Sequence, residues 1–236
     1  MKKVLLAIPT YNEFGNVNRI HRLIRKYNKK IKILFVDDNS SDGTINQLRK
    51  IHQFDRNVSF LIRKKKLGIG SAHKFIFKIA YKNKIDVLIT MDSDLTHHPI
   101  LINKMLKLVR HYHLVQTNRF LNKKSLKNWP FYRVVLTTLR YYLLFFTLNI
   151  KNESSGAYRC YNLNKIKLST LLEAKNNSYS FFWESMYFFT KKKFKVKELS
   201  SIQNYRTEGN SKITISDWLS GFTYLFYIYI KKILKI

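Results

Sequence analysis

The sequence VLITMDSD, residues 87–94, joins an apolar run to a cluster of acidic side chains. Val87–Met91 is short and rich in β-branched residues, which is typical of a strand that is buried in a sheet. Asp92 and Asp94 follow at once, with one serine between them. In open α/β sheets the ligands bind at the carboxyl ends of the strands. The two carboxylates therefore mark the edge of the sheet at which we expect a binding site.

Three earlier runs repeat the strand pattern, at Val4–Ile8, Ile33–Val36 and Val58–Ile62. The segments between these runs carry apolar residues at helical spacing, for example from Val17 to Ile24. Strands that alternate with helices form βαβ units with right-handed crossovers, and these build a mostly parallel sheet. The predicted fold class is therefore α/β, with a Rossmann-like sheet flanked by helices.

Polar clusters follow three of the four predicted strands, at residues 9–13, 37–44 and 92–94. Because the carboxyl ends of parallel strands meet at one edge, these clusters should converge on a single site. Two carboxylates one residue apart can share a hard divalent cation, and Mg²⁺ and Mn²⁺ prefer oxygen ligands. Such a cation neutralises the diphosphate that leaves when a sugar is transferred from a nucleotide. Among the observations that come from the residues alone, this convergence is the main indication of a binding site.

Several residues near these clusters have both a structural and a functional interpretation. We assign Asp38 to a nucleotide and Asp42 to the turn that precedes a helix. His97 is predicted to lie beside the metal site without being a ligand, and His98 is predicted to face solvent. The Gly68-Ile69-Gly70 segment would allow a phosphate or a sugar to approach the backbone closely.

The composition is strongly basic, with 44 Lys and Arg residues against 14 Asp and Glu residues and a net charge of +30. Such a field attracts nucleic acid, an anionic membrane surface or a phosphorylated substrate. Drift in an AT-rich genome, which enriches lysine everywhere, explains much of this charge equally well. The single cysteine, Cys160, excludes an internal disulfide and a cysteine-based metal cluster. The first apolar run is too short for a signal peptide, so we expect the catalytic part to be cytoplasmic.

The second half of the chain is rich in aromatic and apolar residues. Residues 129–150 are long enough to cross a bilayer, but Arg133 and Arg140 make crossing costly and favour interfacial helices. Residues 218–230 would form about 20 Å of helix, which is short of the ~30 Å hydrocarbon core. The lysines that follow suit an anionic cytoplasmic leaflet. We expect a monotopic, membrane-associated protein, with a tilted span or ordinary core helices as the alternatives.

These patterns divide the chain into two parts. Residues 1–213 are predicted to form the catalytic domain, with interfacial helices at 129–150. Residues 214–236 are predicted to form an amphipathic, membrane-associated helix at the carboxyl terminus. Glu184 is predicted to have a structural role in a helix.

The ordered set of motifs resembles the family 2 inverting glycosyltransferases of the GT-A fold. Within that family it is most similar to the dolichol-phosphate mannose synthases and related polyprenyl-phosphate glycosyltransferases. The resemblance extends over roughly residues 3 to 213. The segments that carry it are PTYNE (9–13), VDDNSSDGT (36–44), GIG (68–70), MDSDLTHHP (91–99), NRF (118–120), SSGAYR (154–159), YSFFWE (179–184) and RTEGNSK (206–212).

The resemblance implies a role for each matching residue. The residues that would bind the nucleotide sugar are Pro9, Tyr11, Glu13, Asp38, Gly68, Asp92, Ser93, Asp94 and Arg119. Those that would bind phosphates of the donor or the acceptor are Arg133, Arg206 and Lys212. Those with a catalytic role would be Asp92, Asp94, Arg119 and Arg133. Asp92 and Asp94 would hold the metal, and Thr96 stands where some relatives have a glutamine ligand, although a hydroxyl is a weaker ligand.

The resemblance also implies a reaction. It is the inverting transfer of a hexose, with mannose from GDP-mannose as the first choice, to a polyprenyl or dolichyl phosphate in the presence of Mg²⁺ or Mn²⁺. A family 2 enzyme that uses UDP-glucose, another donor or a saccharide acceptor is the alternative. A basic nucleic-acid-binding protein is the alternative of a different class. Such a protein would have no use for converging carboxylates, so we expect no nucleic-acid partner.

Overall fold

A computed structural model describes residues 2–122, 124–126, 129–202 and 215–234. Its strands are β1 (Val4–Thr10), β2 (Lys32–Asp37), β3 (Val58–Ile62), β4 (Val87–Thr90), β5 (Leu114–Asn118), β6 (Arg159–Asn162) and β7 (Val196–Ser200). Its α-helices are α1 (Phe14–Tyr27), α2 (Thr44–Phe54), α3 (Ile69–Lys82), α4 (Ile102–Leu108), α5 (Phe131–Leu148), α6 (Leu168–Leu171), α7 (Ser180–Lys191) and α8 (Ile215–Leu234). Arg206 and Lys212, which we predicted to bind phosphate, lie outside the described residues.

The strands form one sheet in the order β3-β2-β1-β4-β6-β5-β7. β6 is antiparallel to both β4 and β5, and the other pairs are parallel. The predicted α/β class with a mostly parallel sheet is confirmed, and the four predicted strands are β1 to β4. The strand β6 has no apolar pattern because its Arg159 and Asn162 are polar, although both side chains are buried.

Helices cover both faces of the sheet, which explains why the inner strands are apolar throughout. Successive side chains of a strand point to opposite faces. In β1, Leu5 belongs to the cluster of buried residues that α3, α5, α7 and α8 cover. Its neighbour Leu6 belongs to the cluster that α1, α2 and α4 cover. Both clusters are closed to water, as a parallel sheet requires.

The aromatic segments of the second half form two helices that pack on this core. Residues 129–150 contain α5, and its Leu144 and Leu148 are buried. Residues 218–230 lie inside α8, which is longer than the apolar run and has 20 residues. Its Leu225 and Ile228 are buried in the same cluster. Within the described ranges, no helix combines the length and the hydropathy that a membrane crossing requires.

The two glycines at the start of α3 allow the chain to pack closely against itself. Gly68 has φ +89°, and a Cβ atom there would lie 2.2 Å from the carbonyl oxygen of Asn177. A Cβ atom on Gly70 would lie 2.6 Å from Cβ of Phe181 and 2.7 Å from the carbonyl oxygen of Asn176. We interpreted residues 68–70 as a place where a ligand approaches the backbone. That interpretation is incomplete, because residues 176–181 of the chain itself pack against these glycines.

We expect Gly70→Ala to lower the free energy of unfolding by about 1–3 kcal/mol, because the added methyl group has to displace backbone and a buried phenylalanine. Gly15→Ala is the matched control. Gly15 is exposed in the first turn of α1, where alanine should be neutral or stabilising by up to about 1 kcal/mol. Urea denaturation of both variants measures the difference, and equal effects would contradict the close packing.

Candidate active site

A cavity of about 470 Å³ opens at the carboxyl ends of the strands. Every predicted site residue that the structure describes lines it. These residues are Pro9, Tyr11, Glu13, Asp38, Gly68, Asp92, Ser93, Asp94, Thr96, Arg119 and Arg133. Segments that are far apart in the sequence therefore meet at the sheet edge where the polar clusters were predicted to converge.

Asp92 and Asp94 form the acidic side of the cavity. The Asp92 side chain is 35% exposed, whereas Asp94 is buried. The Asp94 carboxylate accepts hydrogen bonds from the backbone N–H of Thr96 at 3.1 Å and from its hydroxyl at 2.7 Å. Leu95 between them has φ +64°, a left-handed conformation that turns the chain back on itself. Thr96 thus orients the Asp94 carboxylate.

His97 lines the cavity beside Asp92 and supports it. Its ring is buried, and Nδ1 lies 3.3 Å from the backbone nitrogen of Asp92 and 3.7 Å from the carboxylate oxygen Oδ2. The ring packs against Tyr158, with 5.3 Å between the ring centroids. The predicted place of His97 beside the acidic triplet is confirmed. His98 is exposed, as predicted.

The three aspartates at the end of β2 and in the loop after it have different roles. Asp37 is fully buried and accepts hydrogen bonds from the Thr10 hydroxyl at 2.9 Å and from Ser40. It thereby ties the end of β1 to the loop after β2. Asp42 accepts hydrogen bonds from the backbone N–H groups of Phe14 and Thr44, each at 3.0 Å. The predicted role of Asp42 in the turn before α2 is confirmed.

Asp38 is the member of this group that lines the cavity. Its carboxylate oxygen Oδ1 lies 3.1 Å from Nη1 of Arg63, and both side chains are buried. Burial raises the pKa of the Asp38 carboxyl, and the Arg63 guanidinium opposes that rise. The sequence did not point to Arg63, because the pair joins residues that follow different strands.

Cationic side chains also line the cavity. Arg119 follows β5, and Arg133 and Arg140 project from α5. Burial lowers the pKa of Arg140 to about 10, so this guanidinium is still charged at neutral pH. The Arg119 guanidinium lies over the ring of Trp129 at 5.5 Å. Arginines at this density can hold more than one phosphate group.

A buried carboxylate, Glu153, holds Arg119 in place. Its oxygen Oε1 lies 3.7 Å from Nε of Arg119, and the carboxylate accepts hydrogen bonds from the backbone N–H groups of Ser155 at 3.0 Å and Gly156 at 2.9 Å. Burial raises the pKa of Glu153, but the arginines and these hydrogen bonds outweigh burial, and the pKa lies below its ordinary value. Glu153 is therefore an anion that offsets the surrounding arginines.

Besides Arg63, several charged residues at or beside the cavity were not among the predicted site residues. Lys66 lines it, with its ammonium group 4.5 Å from the centre of the Tyr11 ring. Arg140 and Asp217 line it from α5 and α8, and Asp217 accepts a hydrogen bond from the Ser178 hydroxyl at 3.1 Å. Glu153 supports it from below. Of these residues, only Glu153 had a feature in the sequence that pointed to the site, because it directly precedes the Ser154-Ser155-Gly156 segment.

Glu184 lies behind the cavity and has a structural role, as predicted. It is buried, and its carboxylate accepts hydrogen bonds from the backbone N–H groups of Lys175 and Asn176, each at 2.9 Å. It also accepts a hydrogen bond from the hydroxyl of Tyr224 on α8 at 2.7 Å. One side chain thus joins α7, the loop before it and α8.

The acidic side can supply oxygen ligands to a divalent cation. Within the described part of the chain, no three His, Cys, Asp or Glu side chains cluster in the way that a metal held by protein alone requires. Mg²⁺ is commonly held by one or two carboxylates, with water and substrate phosphates completing the shell. Asp92 and Asp94 fit such an open arrangement, because both line the cavity that a phosphorylated ligand would enter.

Residues 6–172 match the family model described as glycosyl transferase family 2. This match spans more than half of the chain, and it agrees with the sheet and with the site at its carboxyl edge. The chain belongs to glycosyl transferase family 2 and is a glycosyltransferase.

Similar proteins support this assignment. The chain is 30% identical over 181 residues to an undecaprenyl-phosphate mannosyltransferase from Micrococcus luteus, a match that covers 76% of this chain and 74% of that protein. A mannosyltransferase from Pyrobaculum calidifontis, solved in complex with GDP-Man and Mn²⁺, has 15% identity and a TM-score of 0.62 over 99% of this chain and 64% of its own. Glucosyl-3-phosphoglycerate synthase from Mycobacterium tuberculosis, solved with Mn²⁺, UDP and phosphoglyceric acid, has 12% identity and a TM-score of 0.63. This match covers 98% of the present chain and 78% of the synthase. The two solved structures show that the predicted GT-A fold is correct.

We expect Glu153→Gln to lower the free energy of unfolding by about 3–5 kcal/mol, because it leaves the Arg119 charge buried beside a neutral side chain. Glu173→Gln is the matched control. Glu173 pairs with Lys192 at 2.9 Å, but both side chains are about one third exposed, so its loss should cost less than about 1 kcal/mol.

The pH dependence of the Glu153→Gln effect tests the same pair. Because the pKa of Glu153 is lowered in the folded state, its stabilising contribution is complete above the ordinary pKa of 4.5 and is lost as the pH falls through the lower folded value. The stability difference between the wild type and the variant should therefore shrink at acidic pH. A difference that grows on acidification would contradict an ionised Glu153.

Proposed function

We propose that this chain transfers a hexose from a sugar nucleotide to a polyprenyl or dolichyl phosphate, with mannose and GDP-mannose as the specific substrates. One observation carries the proposal. A single cavity is lined both by the carboxylates of Asp92 and Asp94 and by the guanidinium groups of Arg119, Arg133 and Arg140. This arrangement suits two phosphorylated substrates that have to meet. The similar mannosyltransferase that is named for undecaprenyl phosphate supports the choice of sugar and acceptor.

The nucleotide would lie against the ends of β1 and β2. Pro9, Tyr11 and Glu13 line this part of the cavity, and Asp38 offers a carboxylate to hydroxyl or base N–H groups. Glu13 is held for this task, because its backbone N–H donates to the Thr44 hydroxyl at 2.8 Å and its carboxylate accepts from the Asn16 side chain at 2.7 Å. Gly68 lines the same cavity.

Asp92 and Asp94, with Ser93 between them, would hold Mg²⁺ or Mn²⁺ against the donor diphosphate. A bound cation supplies charge neutralisation to the departing diphosphate. Thr96 fixes the direction of Asp94 through its hydrogen bonds, so its contribution to a metal site is better described as positioning than as ligation. The Mn²⁺ in the solved mannosyltransferase from Pyrobaculum calidifontis supports a divalent metal.

The reaction needs positioning more than it needs proton transfer. An oxygen of the acceptor phosphate bonds to the anomeric carbon, while the bond from that carbon to the nucleoside diphosphate breaks and its electron pair leaves with the diphosphate. One such displacement inverts the anomeric configuration. A phosphate oxygen is already anionic at neutral pH, so no strong base is required. Arg119 and Arg133 would bring the two anions together and hold them in line.

Arg206 and Lys212 belong to this proposal through the resemblance of their segment. They would add cations for the acceptor or donor phosphates. Their placement lies outside the described part of the chain, so their role is a prediction from sequence.

A second candidate is transfer to a hydroxyl group of a saccharide or a small acceptor. The observation that favours it is Asp217, a carboxylate that lines the cavity and could accept the proton of a hydroxyl acceptor. The solved synthase that binds UDP and phosphoglyceric acid has the same fold, so the fold does not distinguish these donors and acceptors.

The lipid acceptor would reach the cavity from a membrane surface bound by residues 129–150 and 214–236. The outer sides of α5 and α8 expose large apolar residues, among them Leu139, Phe146, Phe222 and Phe226. The last turn of α8 carries Lys231 and Lys232, which suit anionic headgroups. Arg133 and Arg140 of α5 line the cavity, so that helix would join the membrane surface to the phosphate site. This arrangement supports peripheral, monotopic attachment, and we propose that the chain binds the cytoplasmic leaflet.

We expect Asp92→Asn to reduce sugar transfer at least about 100-fold, because it removes a metal ligand at the leaving diphosphate. The assay measures labelled lipid formed from polyprenyl phosphate and GDP-mannose with Mg²⁺ or Mn²⁺. Asp86→Asn is the matched control, since Asp86 precedes the same strand β4 at its amino end, away from the cavity. Its variant should retain the wild-type rate.

The same assay decides between the candidate functions. UDP-glucose and a hydroxyl acceptor are tested beside GDP-mannose and polyprenyl phosphate. No labelled lipid with any donor would refute the proposed acceptor, and a preferred hydroxyl acceptor would favour the second candidate. Transfer that Asp92→Asn leaves unchanged would refute the metal site.

We expect the double variant Leu139→Glu/Phe222→Glu to weaken binding to phosphatidylcholine–phosphatidylglycerol vesicles at least about tenfold, because each apolar side chain loses its burial in lipid. Phe54→Glu is the control for a large exposed apolar residue. Phe54 is 89% exposed at the end of α2, a helix that covers the other face of the sheet. Cosedimentation measures binding, and equal losses in both variants would contradict attachment through α5 and α8.

A further inference from the structure

A second concave surface lies beside the candidate active site and is separate from it. This groove, of about 810 Å³, runs between the end of β3 with the loop that follows, the outer side of α3 and residues 172–177. The ion pair of Arg63 and Asp38 lies between the two sites, because Arg63 lines the groove and Asp38 lines the cavity. The lysines after β3 divide in the same way, with Lys66 at the cavity and Lys64 and Lys65 at the groove.

Basic side chains line the groove, and no carboxylate among the described lining residues balances their charge. Its cations are Arg63, Lys64, Lys65, Lys74, Lys78 and Lys175, and no acidic residue is among the described residues that line it. The adjacent Glu173 is engaged by Lys192 at 2.9 Å. Burial lowers the pKa of Lys74, and Lys175 and Lys78 lower it further, although Glu184 opposes them. These like charges repel one another, and a multivalent anion would relieve that repulsion.

The walls of the groove are fixed before any ligand arrives. The ammonium group of Lys74 donates to the carbonyl oxygens of Lys175 at 2.8 Å and Asn176 at 3.2 Å. The backbone N–H of Ser71 donates to the carbonyl oxygen of Asn177 at 3.2 Å, and its hydroxyl accepts from Nη2 of Arg63 at 2.7 Å. Because hydrogen bonds already join α3 to the opposite wall, the protein would lose little conformational entropy when a ligand binds.

One rim of the groove is apolar. Ile62, Leu67 and Phe75 line it and are exposed. The Arg63 guanidinium lies over the Phe75 ring at 5.9 Å. A ligand with both phosphate groups and an apolar part would cover this rim while its charge met the lysines.

We propose that this groove is a second anion site, which binds a ligand with several phosphate oxygens, either a soluble polyphosphate ester or the headgroup of an anionic lipid. It lies outside the cavity in which we place sugar transfer, and its occupancy can be measured without a donor or an acceptor. The proposal therefore stands or fails independently of the proposed reaction.

Inorganic tripolyphosphate is the probe, and calorimetry on the whole chain at about 0.15 M salt is the measurement. At this ionic strength the Debye length is about 8 Å, so the general field of the protein contributes little. We expect Lys65→Glu/Lys78→Glu, two exposed positions in the groove, to weaken binding at least about tenfold. Thermal unfolding checks that the variant is folded.

Lys29→Glu/Lys30→Glu is the matched control with the same change in net charge. These exposed lysines precede β2, at the edge of the sheet opposite to the groove. Their variant should weaken binding less than about twofold. Arg133→Ala weakens any tripolyphosphate binding by the cavity arginines, but it should leave the binding at the groove in place. Equal losses in both lysine variants, loss only with Arg133→Ala, or no binding by the wild type would each overturn the proposal.

Vesicles distinguish the two sources of phosphate. The wild type and the variants are compared on phosphatidylcholine vesicles with and without phosphatidylglycerol. If Lys65→Glu/Lys78→Glu abolishes the preference for the anionic vesicles, the ligand is a lipid headgroup. If only tripolyphosphate binding is lost, the ligand is soluble.

Discussion

The direction of the strands around β4 is the constraint on which the rest of the site depends. β4 lies between the parallel strand β1 and the antiparallel strand β6. An antiparallel strand begins at the edge where its parallel neighbours end. The segment that leads into β6 therefore enters the structure beside the acidic triplet that leaves β4. This arrangement places Glu153 at the same edge of the sheet as Asp92, although about 60 residues separate them.

The electrostatics of the cavity follow from this arrangement. Arginines that are to hold phosphates must remain oriented and charged in the absence of ligand, and buried cations are costly without a counter-ion. Glu153 supplies that counter-ion for Arg119. Because its carboxylate is engaged by the Ser155 and Gly156 N–H groups, it offsets the arginines without entering the cavity. Asp92, which lines the same cavity, keeps about one third of its side chain exposed.

The glycines of the Gly68-Ile69-Gly70 segment show how one motif can serve packing and binding together. Both were interpreted as places where a ligand approaches the backbone. Gly68 does line the cavity, yet the atoms closest to both glycines belong to residues 176–181. Because neither glycine has a side chain, the loop before α7 can pack against them. There it forms one wall of the cavity and one wall of the basic groove. The same close contact therefore shapes both surfaces.

Local patterns in the sequence were enough to predict the class of fold, the first four strands and the edge at which the polar clusters meet. Short apolar runs, helical periodicity and polar strand ends are local patterns, and a chain of four βα units can satisfy them in only a few ways. Only the folded chain shows that β6 is antiparallel, that Arg140 and Asp217 line the cavity, and that Arg63 pairs with Asp38. Those features depend on which faces of α5 and α8 pack against the core and on contacts between distant segments. Residues such as Arg159 or Asp217 carry no local pattern that reports such contacts, because the partner that stabilises each of them lies elsewhere in the chain.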